Sequence, residues 1–194
     1  MNRDTAKRRK LEALRDEILS RMPEAWLFPP EGNVQGFMGT GPVMFVAERP
    51  STGKGFSGPG KSLLYPLLEE TGNANGHLTD VIKTHGKVGQ PYPEDIAMHR
   101  QFFDREIEIV QPHLIIAFGQ KVYDLLQFSL AGRGIKIRQI WRYSYAACWP
   151  DKRANFKTRL RKALGPRRVI RAPRLVSDAR MALHARRRAP QPAR

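Results

Sequence analysis

Between Val43 and Leu64 the chain reads VMFVAERPSTGKGFSGPGKSLL. An apolar run is followed by a carboxylate at Glu48, an aromatic at Phe56 and a glycine-rich turn that closes on Lys61 and Ser62. A carboxylate just past a buried strand can stabilise a developing positive charge or take a proton from water. Backbone amides at a helix start, joined by Lys61 and Ser62, make a site for an anion. Residues 55–62, GFSGPGKS, also fit the nucleotide-binding pattern GxxxxGK[ST] letter for letter. The stretch therefore supports two incompatible chemistries.

Spacing separates them. In a nucleotide-binding loop the first glycine follows its strand directly, so that loop amides and helix N-terminus wrap the phosphates. Here Glu48 to Lys54 intervene between strand and Gly55, which is too much chain for a tight cradle. Such enzymes also need an apolar strand ending in Asp to hold the magnesium shell. The most apolar strand instead ends Ala117-Phe118-Gly119, and Asp80 closes a short, polar one, HLTD. A nucleoside triphosphatase is thus the third-ranked reading.

The elements that must position these groups follow from periodicity. Residues 4–22 place Leu11, Leu14, Ile18 and Met22 at helical spacing, with Asp4 as N-cap. Residues 23–42, rich in Pro and Gly, read as a long loop. Short apolar strands are expected at 43–47, 77–82 and 113–118, and an alternating, edge-like strand at 135–141. Helices are expected over 61–71, with Pro66 in the first turns, and over 94–110, 121–128 and 156–164. Strands alternating with helices predict an α/β fold of three α/β/α layers around a central four-stranded parallel sheet. Ligands of such sheets bind beyond the carboxyl ends of the strands, here Ala47-Glu48, Thr79-Asp80, Phe118-Gly119 and Trp141-Arg142.

Composition narrows the class. The 194 residues suffice for one domain, expected over 1–164, with 1–42 as helix and loop ahead of a 43–164 core and 165–194 as a flexible basic tail. No run of 18 apolar residues and no apolar leader are present, which predicts a cytoplasmic protein. One cysteine, Cys148, excludes a disulfide framework and a four-cysteine cluster, and it is expected to be packed beside Trp149. Five scattered histidines suggest no metal set, and no cofactor is expected. The net charge is +16, and residues 151–194 hold fifteen Lys and Arg against Asp151 and Asp178, so this stretch carries +13 of it. A basic tail on a nearly neutral body suits a polyanion.

Taken together, the segments resemble the uracil-DNA glycosylase superfamily, nearest the branch whose members usually hold an iron–sulfur cluster. Its first motif is matched by Ala47-Glu48-Arg49-Pro50-Ser51, Gly55-Phe56 and Gly58-Pro-Gly60-Lys61-Ser62-Leu63-Leu64. Its second, Thr-Asn-Val-Val-Lys, is matched by Thr79-Asp80-Val81-Ile82-Lys83, and its third by Pro112-His-Leu-Ile-Ile-Ala-Phe-Gly119. The likeness is good over 43–128 and looser over 135–164. Three things depart from the pattern. The family's His-Pro-Ser is Tyr143-Ser144-Tyr145-Ala146, its base-reading Asn is Asp80, and the cluster cysteines are absent.

The resemblance implies that a nucleotide is flipped out, its base stacked on Phe56 and read by Asp80. Uracil offers a donor at N3 and an acceptor at O4, so an ionised Asp80 would accept from one and repel the other. Asp80 is then protonated, or the reader is His77, His85 or a backbone amide, or the base is not uracil. Glu48 is placed to favour the oxocarbenium-like sugar and orient water. The departing base, lacking the family's histidine, would need a donor from Ser144, Tyr143 or Arg142; Ser144 stands with Glu48 as the expected catalytic pair. Ser57, Gly60, Lys61, Ser62, Gln120, Lys121, Arg142 and Arg153 are expected to hold DNA phosphates. The leading expectation is a monomeric glycosylase that excises uracil or a related deaminated base near the nucleoid, the alternative a non-catalytic binder of damaged or abasic DNA. Because the basic residues reach phosphates rather than bases, the apparent DNA dissociation constant should rise steeply between 50 and 200 mM salt in a fluorescence-anisotropy titration.

Overall fold

The computed structural model describes residues 2–50, 58–86 and 93–165. Four strands, β1 (Val43–Ala47), β2 (His77–Asp80), β3 (Leu114–Phe118) and β4 (Lys136–Ile140), form one all-parallel sheet in the order β2-β1-β3-β4. The chain leaves β1 toward one edge and returns to build the other from β3 and β4. The strand order therefore reverses between β1 and β3, where the connections leaving their carboxyl ends part. Register places Ala47 opposite Asp80 and Phe118 opposite Ile140, so the residues following each strand gather at one end of the sheet.

Alternation along β1 divides the core. Val43 and Phe45 face a cluster with Leu63, Leu64, Leu67, Leu68, Phe156 and Leu160. That layer is made by α2 (Tyr65–Glu70), α5 (Tyr143–Ala147) and α6 (Pro150–Leu164). Met44 and Val46 face Phe103, Ile107, Val122 and Leu126, contributed by α3 (Ile96–Val110) and α4 (Gln120–Ser129). These are the three expected layers. Outside α3 lies α1 (Arg3–Arg21), whose Leu11, Leu14 and Ile18 bury against Phe102 and Val110.

Several local expectations need correction. The N-cap of α1 is Asn2, whose side chain accepts from the Asp4 amide, because the helix starts one residue earlier than apolar spacing suggests. The segment expected over 61–71 opens with a wide π-helical turn, Gly60–Leu64, before the α-helix, and Pro66 sits in the first turn of the latter. Strand β2 ends at Asp80 rather than residue 82, because the Val81 and Ile82 amides turn back onto the carbonyls of Ala47 and Glu48. Tyr143–Ala147, expected as loop, is a short helix, and α6 starts at Pro150, whose fixed φ suits a first helical position. Cys148 is exposed rather than packed. The basic tail from 166 onward, Phe56 and Ser57 lie outside the described residues.

Although an edge strand with polar residues, β2 is wholly buried. A 3₁₀ turn, Gly36–Met38, packs along it. The approach is close: a Cβ on Gly39 would stand 2.1 Å from the Gly76 carbonyl oxygen. Phe45, fully buried at the centre of the sheet, stacks 6.4 Å from Phe118. Phe45→Ala should therefore cost about 3–5 kcal/mol, read as a lower urea midpoint with an unchanged slope.

Candidate functional site

Glu48 follows β1 at the point where the strand order reverses, and its side chain is 11% exposed. Lys121, in the first turn of α4 beyond β3, donates from Nζ to Oε1 at 2.7 Å. Arg142, two residues past β4, donates from Nη2 to Oε2. The clamp thus ties the ends of β1, β3 and β4 together. Gly119 makes room for it: with φ +103°, it adopts a backbone that L side chains avoid, and a Cβ there would press on the Arg142 stem at 3.3 Å. Burial works against the charge on Glu48. The Lys121 hydrogen bond and the Arg142 guanidinium outweigh that cost and hold its carboxyl below the usual carboxylate range.

Asp80, opposite Ala47 on the neighbouring strand, behaves in the reverse way. It is 3% exposed, and its Oδ2 has no hydrogen-bond partner among the described residues. Burial pushes its pKa up to about 8, with Glu106 and Glu48 adding to the rise and Lys83 and Arg142 opposing it. At neutral pH the carboxyl is mainly the neutral acid. Two carboxyls at adjacent strand ends therefore hold opposite protonation states, as acid–base pairs in enzymes commonly do.

Beneath Asp80 lies a polar cluster closed to solvent. Lys83 and Glu106 are both fully buried, and Lys83 Nζ lies 2.6 Å from Glu106 Oε1. The same ammonium donates to Thr79 Oγ1 at 2.7 Å and to the Asp80 carbonyl at 2.5 Å. His77 Nε2 meets Glu106 Oε2 at 3.1 Å, and the Lys83 amide donates to His99 Nδ1 at 3.1 Å. Burial raises the cost of the Glu106 charge, but Lys83 and the His77 hydrogen bond hold its pKa low. Burial also lowers His99, whose ring takes the Lys83 amide as a neutral acceptor.

The first residue of α5 is Tyr143. Its ring meets Phe118 edge-on at 5.4 Å. Burial, with the Asp80 charge behind it, raises the phenol pKa, so the hydroxyl remains a donor at physiological pH.

Other expected residues sit elsewhere. Ser144 is exposed on α5, its carbonyl accepting from the Cys148 thiol at 3.3 Å. Lys61 is 3.2 Å from Glu31, while Gly60 is buried and Ser62 exposed. Gln120 donates to Asp124 at 2.7 Å, one turn along α4. Arg153 donates from Nε to the Ala147 carbonyl at 2.9 Å and joins α6 to α5. Of the alternative base readers, His77 is consumed by Glu106, and His85 is exposed beside Trp26.

A family model described as the uracil DNA glycosylase superfamily matches residues 37–165, which takes in the whole sheet, the Glu48 clamp and Asp80. The chain belongs to the uracil DNA glycosylase superfamily. It is also similar to a curated type-4 uracil-DNA glycosylase of Thermotoga maritima, 31% identical over 116 residues, which are 57% of this chain and 57% of that protein. The chain thus spans little more than half the length of that relative. No helix among the described residues is long and apolar enough to cross a membrane.

For this superfamily member, sequence reasoning missed the Lys83–Glu106–His77 cluster. One signal was available. His99, Phe102, Phe103, Glu106, Ile107 and Val110 form the buried stripe of α3, so a carboxylate stands where the 3.6-residue period demands an apolar side chain. A buried acid of that kind needs a buried cation.

The raised pKa of Asp80 fixes a sign. Folded, the group binds its proton up to about pH 8; unfolded, it loses it near its ordinary value of 3.8. Asp80 therefore costs stability as pH rises between those values. Asp80→Asn, which stays neutral, should gain stability relative to the parent progressively from pH 4 to pH 8 and no further above it, measured by urea midpoints across that range.

Proposed function

We propose that this protein is a monofunctional DNA glycosylase that flips out uracil, or a related deaminated base, and hydrolyses its glycosidic bond to leave an abasic site. The observation that carries this reading is the buried Asp80 carboxyl, neutral near pH 7 and with Oδ2 unpartnered among the described residues. A carboxylic acid has the same acceptor–donor edge as a carboxamide. Its carbonyl oxygen can accept from uracil N3–H while its hydroxyl donates to O4, so Asp80 does the work of the Asn found in the family motif. The mismatch raised by an ionised Asp80 does not arise.

In this reading the bond between sugar C1′ and base N1 breaks, and the electron pair leaves with the base. Ionised Glu48 favours the positive charge left on the sugar and takes a proton from the water whose oxygen bonds to C1′. Tyr143, half-buried and coupled to Asp80, is the donor best placed to meet the base anion, since Ser144 faces solvent. Lys121 and Arg142 hold Glu48 in the free protein, and DNA phosphates compete for the same two cations. Phe56 stacking on the base, a basic tail over 165–194 that adds affinity for the backbone, and a monomer acting at the nucleoid in the cytoplasm belong to the same proposal.

The test uses purified protein on labelled single-stranded and duplex oligonucleotides carrying one uracil, with alkali to reveal abasic sites. Uracil release is expected, and Glu48→Gln should slow it by about 10²–10⁴-fold. Uracil, hypoxanthine and xanthine all left intact at high protein concentration would overturn the enzymatic reading. The doubly paired state of Glu48 favours a second reading, a binder of abasic DNA on the same fold. Tight binding of abasic DNA without base release, indifferent to Glu48→Gln, selects that alternative.

A further inference from the structure

The buried Lys83–Glu106 pair has no part in the chemistry above, yet it touches the residue that reads the base. Lys83 Nζ is bonded to the Asp80 carbonyl at 2.5 Å and to Thr79 Oγ1 at 2.7 Å, close enough for its charge to act on the Asp80 carboxyl. Both charges are wholly enclosed, so water does not screen them. An ammonium in that position has two carboxyls within its field. One is Glu106 on α3, at 2.6 Å, itself held by His77 Nε2. The other is Asp80.

We propose that Glu106 occupies the charge of Lys83 so that Asp80 keeps its proton, and that the pair thereby sets which form of Asp80 meets the base. Lys83 and Glu106 are positioning residues: they act through Asp80 and touch no substrate. This inference rests on the glycosylase reading for its meaning, although the protonation of Asp80 is measurable without it. The groups that face Asp80 come from four elements. Glu48 follows β1, Lys83 follows β2, Glu106 comes from α3, and Arg142 with Tyr143 comes from the start of α5. Of the two cations, Lys83 is the buried one, and Glu106 is its only carboxylate partner among the described residues. With Glu106 made neutral, Asp80 becomes the nearest group able to balance the ammonium, and its proton is released.

The experiment is a set of pH profiles for uracil excision under single-turnover conditions. The parent should lose activity as pH rises through the titration of Asp80, and Asp80→Asn should lack that limb. Glu106→Gln should move the limb down by at least one pH unit, with about a fivefold or greater loss in rate at pH 8. Lys83→Met combined with Glu106→Gln removes both charges and should return the limb to the parent's position or above it, which a loss of packing would not do. A folded Glu106→Gln protein with an unmoved limb overturns the proposal, as does a limb that persists in Asp80→Asn. Should Glu106→Gln fail to fold, the double variant decides: a limb below the parent's overturns it. Infrared difference spectra of the DNA-free proteins, using the carboxylic-acid band that Asp80→Asn lacks, follow the same titration. If no protein releases uracil, the functional reading fails while this band still tests the pair. A band that titrates at the same pH in parent and Glu106→Gln overturns the inference alone.

Discussion

The carboxyl end of this sheet is built on one interaction, the ion pair of Lys83 and Glu106 in a dry interior. Taking two charges out of water costs several kcal/mol per ion, and only close contact with further hydrogen bonds offsets it. Here the offset comes from Thr79, the Asp80 carbonyl and His77, each itself buried. These bonds join the end of β2, the turn after it and the middle of α3 into one unit. They also explain why β2 is polar. A strand reading His-Leu-Thr-Asp is a poor core strand by apolar content, and a good one as the wall of a buried charge.

The candidate site is a pair of carboxyls one strand apart with contrary environments. Glu48 meets two cations at the rim and remains ionised; Asp80 meets enclosure, with only partial compensation, and remains neutral. Neither state follows from residue type. Each follows from where the parallel strands end and which loop arrives there. The reversal between β1 and β3 opens the gap in which Lys121 can reach across to Glu48, and the bare backbone of Gly119 lets Arg142 reach the same group.

Much of this was legible beforehand. The alternation of short apolar runs with helical periods gives four strands, their order along the chain and the parallel sheet, because both signals are local. Glu48 and Asp80 were legible as strand-end residues, and the seven residues before Gly55 were enough to set the nucleotide-binding pattern aside. Three things were not. The helix Tyr143–Ala147 has too few residues for a period to show. The cations named as phosphate ligands in the sequence are paired with Glu48, Glu31 or a carbonyl, and such partners are set by tertiary approach rather than spacing. The buried cluster was missed because Glu106 lies far along the chain from His77 and Lys83, and each is an ordinary surface type by itself.

The close passage of Gly39 over Gly76 has a consequence for the molecule as a neighbour to its own copies. An uncovered parallel edge is a template onto which a second chain can add a strand. At β2 the 3₁₀ turn lies over that edge, and the contact is backbone against backbone, too tight for any side chain at Gly39. At the opposite edge β4 carries Lys136 and Arg138, and Arg138 is drawn across to the last carbonyls of α6. One margin is sealed by sterics and the other guarded by charge. The sheet is thereby protected from templating its own aggregation.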